Sequence, residues 1–349
     1  MKISELPARP LAALRKGGVI PAHPLALDAA RRLDERRQRA LSRYYLDAGA
    51  AGLAVGVHTT QFEIRDHGLL EPVLTLAAQE AAAHPGEPFL VAGAIGRTGQ
   101  AVREAELARV KGYHAVLLGL AGLDDLDEDA LVAHCRAVAD VMPIIGFYLQ
   151  TAVGGPVLPY SFWRRFARIE NVVAIKIAPF HRYRTLDVAR AVVDAGAEER
   201  ITLYTGNDDH IVADLMTRFT FMRDGKPVSV RIKGGLLGHW AVWTKRAVEL
   251  LADIHERPDA RTTAEWLELD ARTTEANGVL FDVANGFAGC IAAIHEVLRR
   301  QGLLEGIWCL NPDETMGPGQ AEELDRIYRD YPELNDDAFV RANLGRWLK

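Results

Sequence analysis

The stretch Asn171-Val172-Val173-Ala174-Ile175-Lys176-Ile177-Ala178 decides how this chain is read. One lysine stands in the middle of an apolar, β-branched run. The run is too short for an ordinary helix and reads as a strand buried on both faces. A buried ammonium is costly to desolvate, so burial lowers the lysine pKa and frees the amine as a nucleophile. A lysine that forms a Schiff base needs that state. A lysine paired with a carboxylate at a sheet edge would leave the same trace, so the flanking sequence has to separate the two.

Outward from this stretch, the same phrase recurs. Strands are expected at 18–24, ended by Pro24, and at 52–56, 89–93, 114–119, 143–148 and 201–205. An eighth falls within 228–237, after a turn at Asp224-Gly225-Lys226. Amphipathic stretches separate them. Asp28 is the expected N-cap of a helix running to about residue 47, and further helices are expected at 98–111, 127–141, 159–167, 184–195, from near Asp208, and at 239–255. Strands alternating with helices predict a parallel sheet, and eight units in about 250 residues predict an α/β fold of the (β/α)8 TIM-barrel type. An open doubly wound sheet is the rival. No G-x-G-x-x-G follows the first strand, and the glycine-rich Gly93–Gly99 follows the third without that spacing. The expected organisation is a polar lead-in at 1–17, a barrel at 18–255 and a C-terminal helical region at 256–349, with helices at 265–277, 284–301 and 319–331.

Of the 349 residues, 49% are hydrophobic and 25% charged, an ordinary globular balance. The formal charge of -6 gives no basic footprint, so a nucleic-acid partner is not expected. Cys135, Cys290 and Cys309 are far apart and form no C-x-x-C pair, which points to reduced thiols in a cytoplasmic protein. No signal-like apolar core opens the chain and no stretch of 18 uninterrupted apolar residues occurs, so no membrane partner is expected.

A barrel of this kind places its active site at the carboxyl ends of the strands. That rule selects His23, then His58, Thr59 and Thr60, then Tyr148 and Gln150, then Lys176, and finally Thr205, Asn207, Asp208 and Asp209. Tyr148 could pass protons while a carbinolamine forms and collapses, or it could be a core aromatic whose hydroxyl meets a backbone group. Thr59 and Thr60 could hold a carboxylate or form a solvated turn. Asp208 and Asp209 open a helix, where capping competes with chemistry. Lys233 has weaker apolar flanks and reads as a surface or polar-layer residue. His23, His58, His181 and His210 fall near strand ends and raise a metal-dependent alternative, but no H-x-H or H-E-x-x-H occurs.

The Tyr148 strand, Ile175-Lys176, Gly206-Asn207-Asp208-Asp209 and the Gly56–Thr60 loop stand in an order that resembles the dihydrodipicolinate synthase/N-acetylneuraminate lyase family, from about residue 18 to 331. Similar phrasing recurs at 291–304 and 317–327. The resemblance implies a (β/α)8 barrel with C-terminal helices and a lysine, here Lys176, that forms a Schiff base with a 2-keto acid, commonly pyruvate. It implies that Tyr148 transfers protons, that Thr59 and Thr60 hold the keto-acid carboxylate, and that the protein is a homo-oligomer, a dimer or a tetramer. No cofactor is implied. Three departures argue against the lysine-biosynthesis synthase itself. No arginine follows Tyr148 within Leu149–Gly155, Leu120-Ala121-Gly122-Leu123 replaces a relay tyrosine, and His23-Pro24 replaces threonine-proline. The pocket is expected to be rebuilt around His23, His58 and Gln150, with Asn207 as a further substrate-binding residue. The expected activity is a class I aldolase or lyase. A sugar-acid dehydratase working through the same imine, a metal-dependent barrel hydrolase and a binding barrel without turnover are the alternatives.

Overall fold

Short β-branched runs are buried on both faces only where helices cover one side of a sheet and the sheet covers itself on the other. This is the arrangement in the computed structural model, which describes residues 1–257 and 264–349. The strands are β1 (Val19–Pro21), β2 (Gly52–Val55), β3 (Phe89–Ala94), β4 (Ala115–Leu118), β5 (Ile144–Leu149), β6 (Val172–Ala178), β7 (Thr202–Thr205), β8 (Arg218–Arg223) and β9 (Lys226–Leu237). Parallel pairing runs β1-β9-β7-β6-β5-β4-β3-β2. The ring closes where Ala22 bridges Ala54 in parallel and the His23 N–H donates to the Ala54 carbonyl at 2.8 Å. The fold is a (β/α)8 TIM barrel with C-terminal helices.

Alternation along each strand sorts the side chains. Ile145, Phe147 and Leu149 of β5 point into the barrel, as do Ala174 and Ala178 of β6, while Ile144, Tyr148, Ile175 and Ile177 face the helical layer. A Cβ on Gly93 would lie 2.2 Å from the Gly56 carbonyl oxygen, so only glycine lets β3 approach the end of β2 this closely.

The helices are α1 (Ala8–Lys16), α2 (Glu35–Ala48), α3 (Leu70–Ala83), α4 (Thr98–Val110), α5 (Glu128–Val141), α6 (Tyr160–Phe166), α7 (Arg182–Asp194), α8 (Ile211–Met216), α9 (Thr244–Glu256), α10 (Ala264–Leu280), α11 (Cys290–Arg300), α12 (Gln320–Asp330) and α13 (Asp337–Trp347). Among the described residues no helix is long and apolar enough to cross a membrane.

The structure corrects several sequence expectations. The lead-in is not merely polar: Leu6, just before α1, and Leu14, within it, are buried with the barrel interior, and the Tyr204 hydroxyl donates to the Leu14 carbonyl at 2.9 Å. Asp34, not Asp28, caps α2 by accepting the Arg37 N–H. Asp28 instead accepts the N–H groups of Ala30 and Arg32 and forms a turn ahead of the helix. The Asp224-Gly225 turn, with φ of 52° and 74°, joins an antiparallel ribbon whose first arm, β8, was not anticipated. Two expected long helices are interrupted. Residues 239–241 form a separate 3-10 turn, and Trp243 has φ 54° before α9 begins. The other, expected from 284, begins only at Cys290, because Gly286 and Phe287 have positive φ.

Candidate active site

Lys176 pairs across the sheet with Phe147 on one side and Tyr204 on the other. Its side chain points inward and toward the carboxyl ends, and it is only 8% exposed. The ammonium nitrogen lies 4.4 Å from the centroid of the Phe147 ring. Burial lowers its pKa, and the neighbouring Asp208 carboxylate partly opposes that shift. Asp208, 4% exposed, is raised by the same burial while Lys176 draws it down. Its Oδ1 accepts the His239 backbone N–H at 3.0 Å. No carboxylate oxygen of a described residue lies within 4.0 Å of the Lys176 nitrogen, so the amine is not tied up in an ion pair.

Gly206 makes room for this lysine. A Cβ there would lie 2.6 Å from Lys176 Cε and 2.8 Å from Ala178 Cβ. The glycine immediately after β7 is therefore a packing requirement of the amine.

The amine opens onto a cavity of about 50 Å³ at the carboxyl end of the barrel. A single water needs about 10–15 Å³ by that measure, so the space suits a molecule of a few heavy atoms. His58, Thr59, Gln150, Lys176 and Asp208 supply its polar wall. Thr59 sits on a 3-10 turn, His58–Thr60, that follows β2. His58 has a pKa lowered to about 4 by burial and by the Lys176 charge, which leaves the imidazole neutral at neutral pH. The rest of the wall is apolar and includes Phe147, Phe180, Phe281 and Phe287.

Six sequence-selected residues, among them Tyr148, Thr60, His23 and Asn207, lie outside the cavity lining. Tyr148 faces the helical layer, tilted against Trp163 of α6 at 5.3 Å, and its hydroxyl accepts the Leu158 N–H at 3.2 Å. It is fully buried there and Phe147 takes the inward position beside Lys176. Thr60 is consumed by the turn it belongs to: its hydroxyl donates to the His23 carbonyl at 2.6 Å and accepts the N–H groups of Gly56 and Val57. His23 is enclosed, with Nδ1 2.8 Å from the Pro24 carbonyl and Nε2 2.8 Å from the Ser42 hydroxyl; burial lowers its pKa to about 4. Asn207 accepts the Phe180 N–H at 3.0 Å and donates to Asp214 and Thr185. It positions the loop after β6 instead of lining the cavity.

The other candidates are dispersed. His181 caps α7, His210 pairs with Asp270 at 3.4 Å, and Asp209 accepts the Thr274 hydroxyl through its carbonyl. Lys233 is exposed, and its ammonium donates to the Arg15 carbonyl at 3.4 Å. Among the described residues no three His, Cys, Asp or Glu side chains are grouped to hold a metal ion.

The aromatic wall was not anticipated. Phe180 and Phe287 have φ of 48° and 72°, and their rings meet edge to face at 6.3 Å. Positive φ is unfavourable for bulky residues, at about 1–3 kcal/mol each, and persists only where the surroundings impose it. Local patterning holds no trace of this wall, since Phe281 and Phe287 lie more than a hundred positions after Lys176. Asp208 did carry a signal, its position after β7, although helix capping competed for it.

Fold and site define a closed parallel barrel that aims one buried, unpaired lysine into a small cavity at its carboxyl mouth. No family model matches the sequence. Over 193 residues the chain is 26% identical to the 4-hydroxy-tetrahydrodipicolinate synthase of Symbiobacterium thermophilum, a match spanning 54% of this chain and 62% of that one. The enzyme of the same name from Synechococcus sp. strain CC9311 is 26% identical over 204 residues, 58% of this chain and 65% of that one. The match thus spans less than two thirds of either relative. Among solved structures, N-acetylneuraminate lyase from Fusobacterium nucleatum superposes with a TM-score of 0.71 at 16% identity, covering 90% of this chain and 99% of that one. YagE of E. coli K12, a prophage protein of the dihydrodipicolinic acid synthase family solved in complex with pyruvate, gives 0.74 at 16% identity, with 90% and 98% covered. The chain is thus similar in sequence, over part of its length, to two 4-hydroxy-tetrahydrodipicolinate synthases, and it shares its fold with solved members of the dihydrodipicolinate synthase and N-acetylneuraminate lyase group.

Proposed function

We propose that the protein is a class I lyase or aldolase in which Lys176 forms a Schiff base with pyruvate or a similarly small 2-keto acid. The observation behind this reading is the Lys176 amine itself: buried, inward-facing, free of an ion pair and bordering open space. The unprotonated amine attacks the ketone carbon, and loss of water gives an iminium that draws electrons from the adjacent bond. Thr59 and backbone N–H groups of its turn hold the carboxylate.

Tyr148 does not reach this chemistry from the helical layer. Asp208 takes the proton-carrying role. Burial favours its protonated form, so it can give a proton to the departing carbinolamine hydroxyl and recover one later. His58, neutral and on the same wall, is a second proton acceptor. YagE holding pyruvate supports the choice of keto acid.

Borohydride reduction in the presence of pyruvate tests the reading. A stable mass adduct is expected on the peptide containing Lys176 and on no other. Lys176→Ala should abolish the adduct and lower turnover by roughly 10⁴-fold or more. An intact wild-type protein that gives no adduct with pyruvate or any other small keto acid would refute it.

A further inference from the structure

A second cavity, of about 250 Å³, lies among the helices, between α9, α10 and the 3-10 turn Pro332–Leu334. It shares no lining residue with the Lys176 cavity. A cavity of about 150 Å³ already accepts benzene, so this one has room for a substituted ring. Trp240, Trp243 and Ala247 form a buried apolar wall, and Leu250 and Leu269 are half-buried beside it.

Two polar groups interrupt that wall. Thr273 is 4% exposed and its hydroxyl has no hydrogen-bond partner among the described residues. His239 is 5% exposed and is held from three directions. Its main-chain N–H is on Asp208, its ring meets Trp243 edge to face at 5.8 Å, and its Nδ1 lies 3.3 Å from the Asn277 amide nitrogen. Burial lowers the ring's pKa to about 4, so the imidazole is neutral. With Nδ1 accepting from the amide, the proton sits on Nε2. Among the described residues nothing accepts from that Nε2, and it is not sealed away. A fixed N–H donor on an apolar wall, left unpaired, is costly until something accepts from it.

The charged lining residues carry the opposite message. Glu249, Asp253 and Glu333 stand against one guanidinium, Arg246. Arg246 is spent on the Glu249 carboxylate and the Glu333 carbonyl. Asp253 is exposed and has no ion pair among the described residues. Trp243, Ala247, Leu250 and Asp253 recur at helical spacing, so one face of α9 leads from the aromatic wall to that free carboxylate. An anion would meet like charge here, whereas an ammonium would find a counter-charge and indole faces nearby.

We propose that this cavity is a binding site for a small aromatic amine that carries a hydroxyl group. The ring packs against Trp243 and Leu269. The hydroxyl oxygen accepts from His239 Nε2 and its proton is available to the Thr273 oxygen. The ammonium lies on the Asp253 side. No step at Lys176 is involved, so the site stands or falls separately from the imine reading.

Calorimetry on the full chain with tyramine and with 3-(4-hydroxyphenyl)propionate tests this. The two probes share the ring and the phenol and differ in the sign of the charge. Tyramine is expected to bind saturably below about 1 mM, and about tenfold or more tighter than the acid. Asp253→Asn, at an exposed position, should bring that ratio toward one, and Leu269→Trp should abolish binding by filling the space. Phenethylamine, which lacks the hydroxyl, should bind more weakly than tyramine. Affinity should be the same in Lys176→Ala, which separates this site from the Lys176 cavity. No saturable binding of tyramine, equal affinity for the acid, or a charge preference that Asp253→Asn leaves unchanged would overturn the proposal.

Discussion

The two ends of the barrel are built from the same alternating strands and finished in opposite ways. At the amino end, the lead-in and α1 seal the interior with Leu6 and Leu14, and the Tyr204 hydroxyl is satisfied by the Leu14 carbonyl. Its interior plug is apolar, and the charged groups near it, such as Lys233 and Arg15, lie outside the barrel. At the carboxyl end, a lysine and an aspartate share a buried wall, and two phenylalanines sit in left-handed backbone. One end stabilises; the other holds groups that burial disfavours. Substitutions at the carboxyl end should therefore damage chemistry more than folding, and those at the amino end the reverse.

The sharpest probe of that contrast is Asp208→Asn. Turnover should fall about 10²–10⁴-fold, the range for loss of a positioned acid or base. The Asp208 charge supports the protonated lysine, so its removal should lower the Lys176 pKa further and move the acid limb of imine formation to lower pH. Pyruvate trapping as a function of pH measures this, and an unmoved limb would count against electrostatic contact between the two groups. Gly206→Ala comes next. Its Cβ would press on Lys176 Cε, and a displacement of the amine by about 1 Å can cost 10²-fold in rate. Normal trapping kinetics in this variant would show that the lysine has slack the structure does not suggest.

Leu14→Ala probes the opposite end. A cavity there should cost about 2–5 kcal/mol in denaturant melts, with turnover per folded molecule preserved. Loss of activity without loss of stability would break the proposed division of labour. The smallest effect is expected for Tyr148→Phe. It removes the acceptor of the Leu158 N–H, at about 1–3 kcal/mol if that group is left unsatisfied, and should change kcat by less than about twofold. A large fall in kcat would mean that the phenol reaches the imine after all.

The barrel and its lysine were legible because they depend on periodicity and on one cation in an apolar run. The facing of Tyr148 was not. β5 is apolar toward the barrel interior and toward the helices, so the two-residue period that would reveal its inward side is silent at Phe147 and Tyr148. Thr60, His23 and Asn207 were selected correctly as polar residues near strand ends. Whether such a group is free for a ligand depends on which groups fold back onto it: the 56–60 loop consumes Thr60, Pro24 and Ser42 consume His23, and Phe180, Thr185 and Asp214 consume Asn207. The aromatic wall was hidden for a different reason. Phe281 and Phe287 flank a sharp turn at Asp282 and Gly286, and the helix expected from 284 begins only at Cys290.

That interruption has an evolutionary meaning. On the proposed reading, the residues that would make a keto acid an electron sink sit on the barrel strands and their loops, whereas part of the cavity wall is delivered by the C-terminal helical region, at Phe281 and Phe287. On that reading, point changes around 281–290 would reshape the cavity wall and leave the strand-borne Lys176 and Asp208 in place. A lineage carrying this architecture can explore new diets one tail residue at a time.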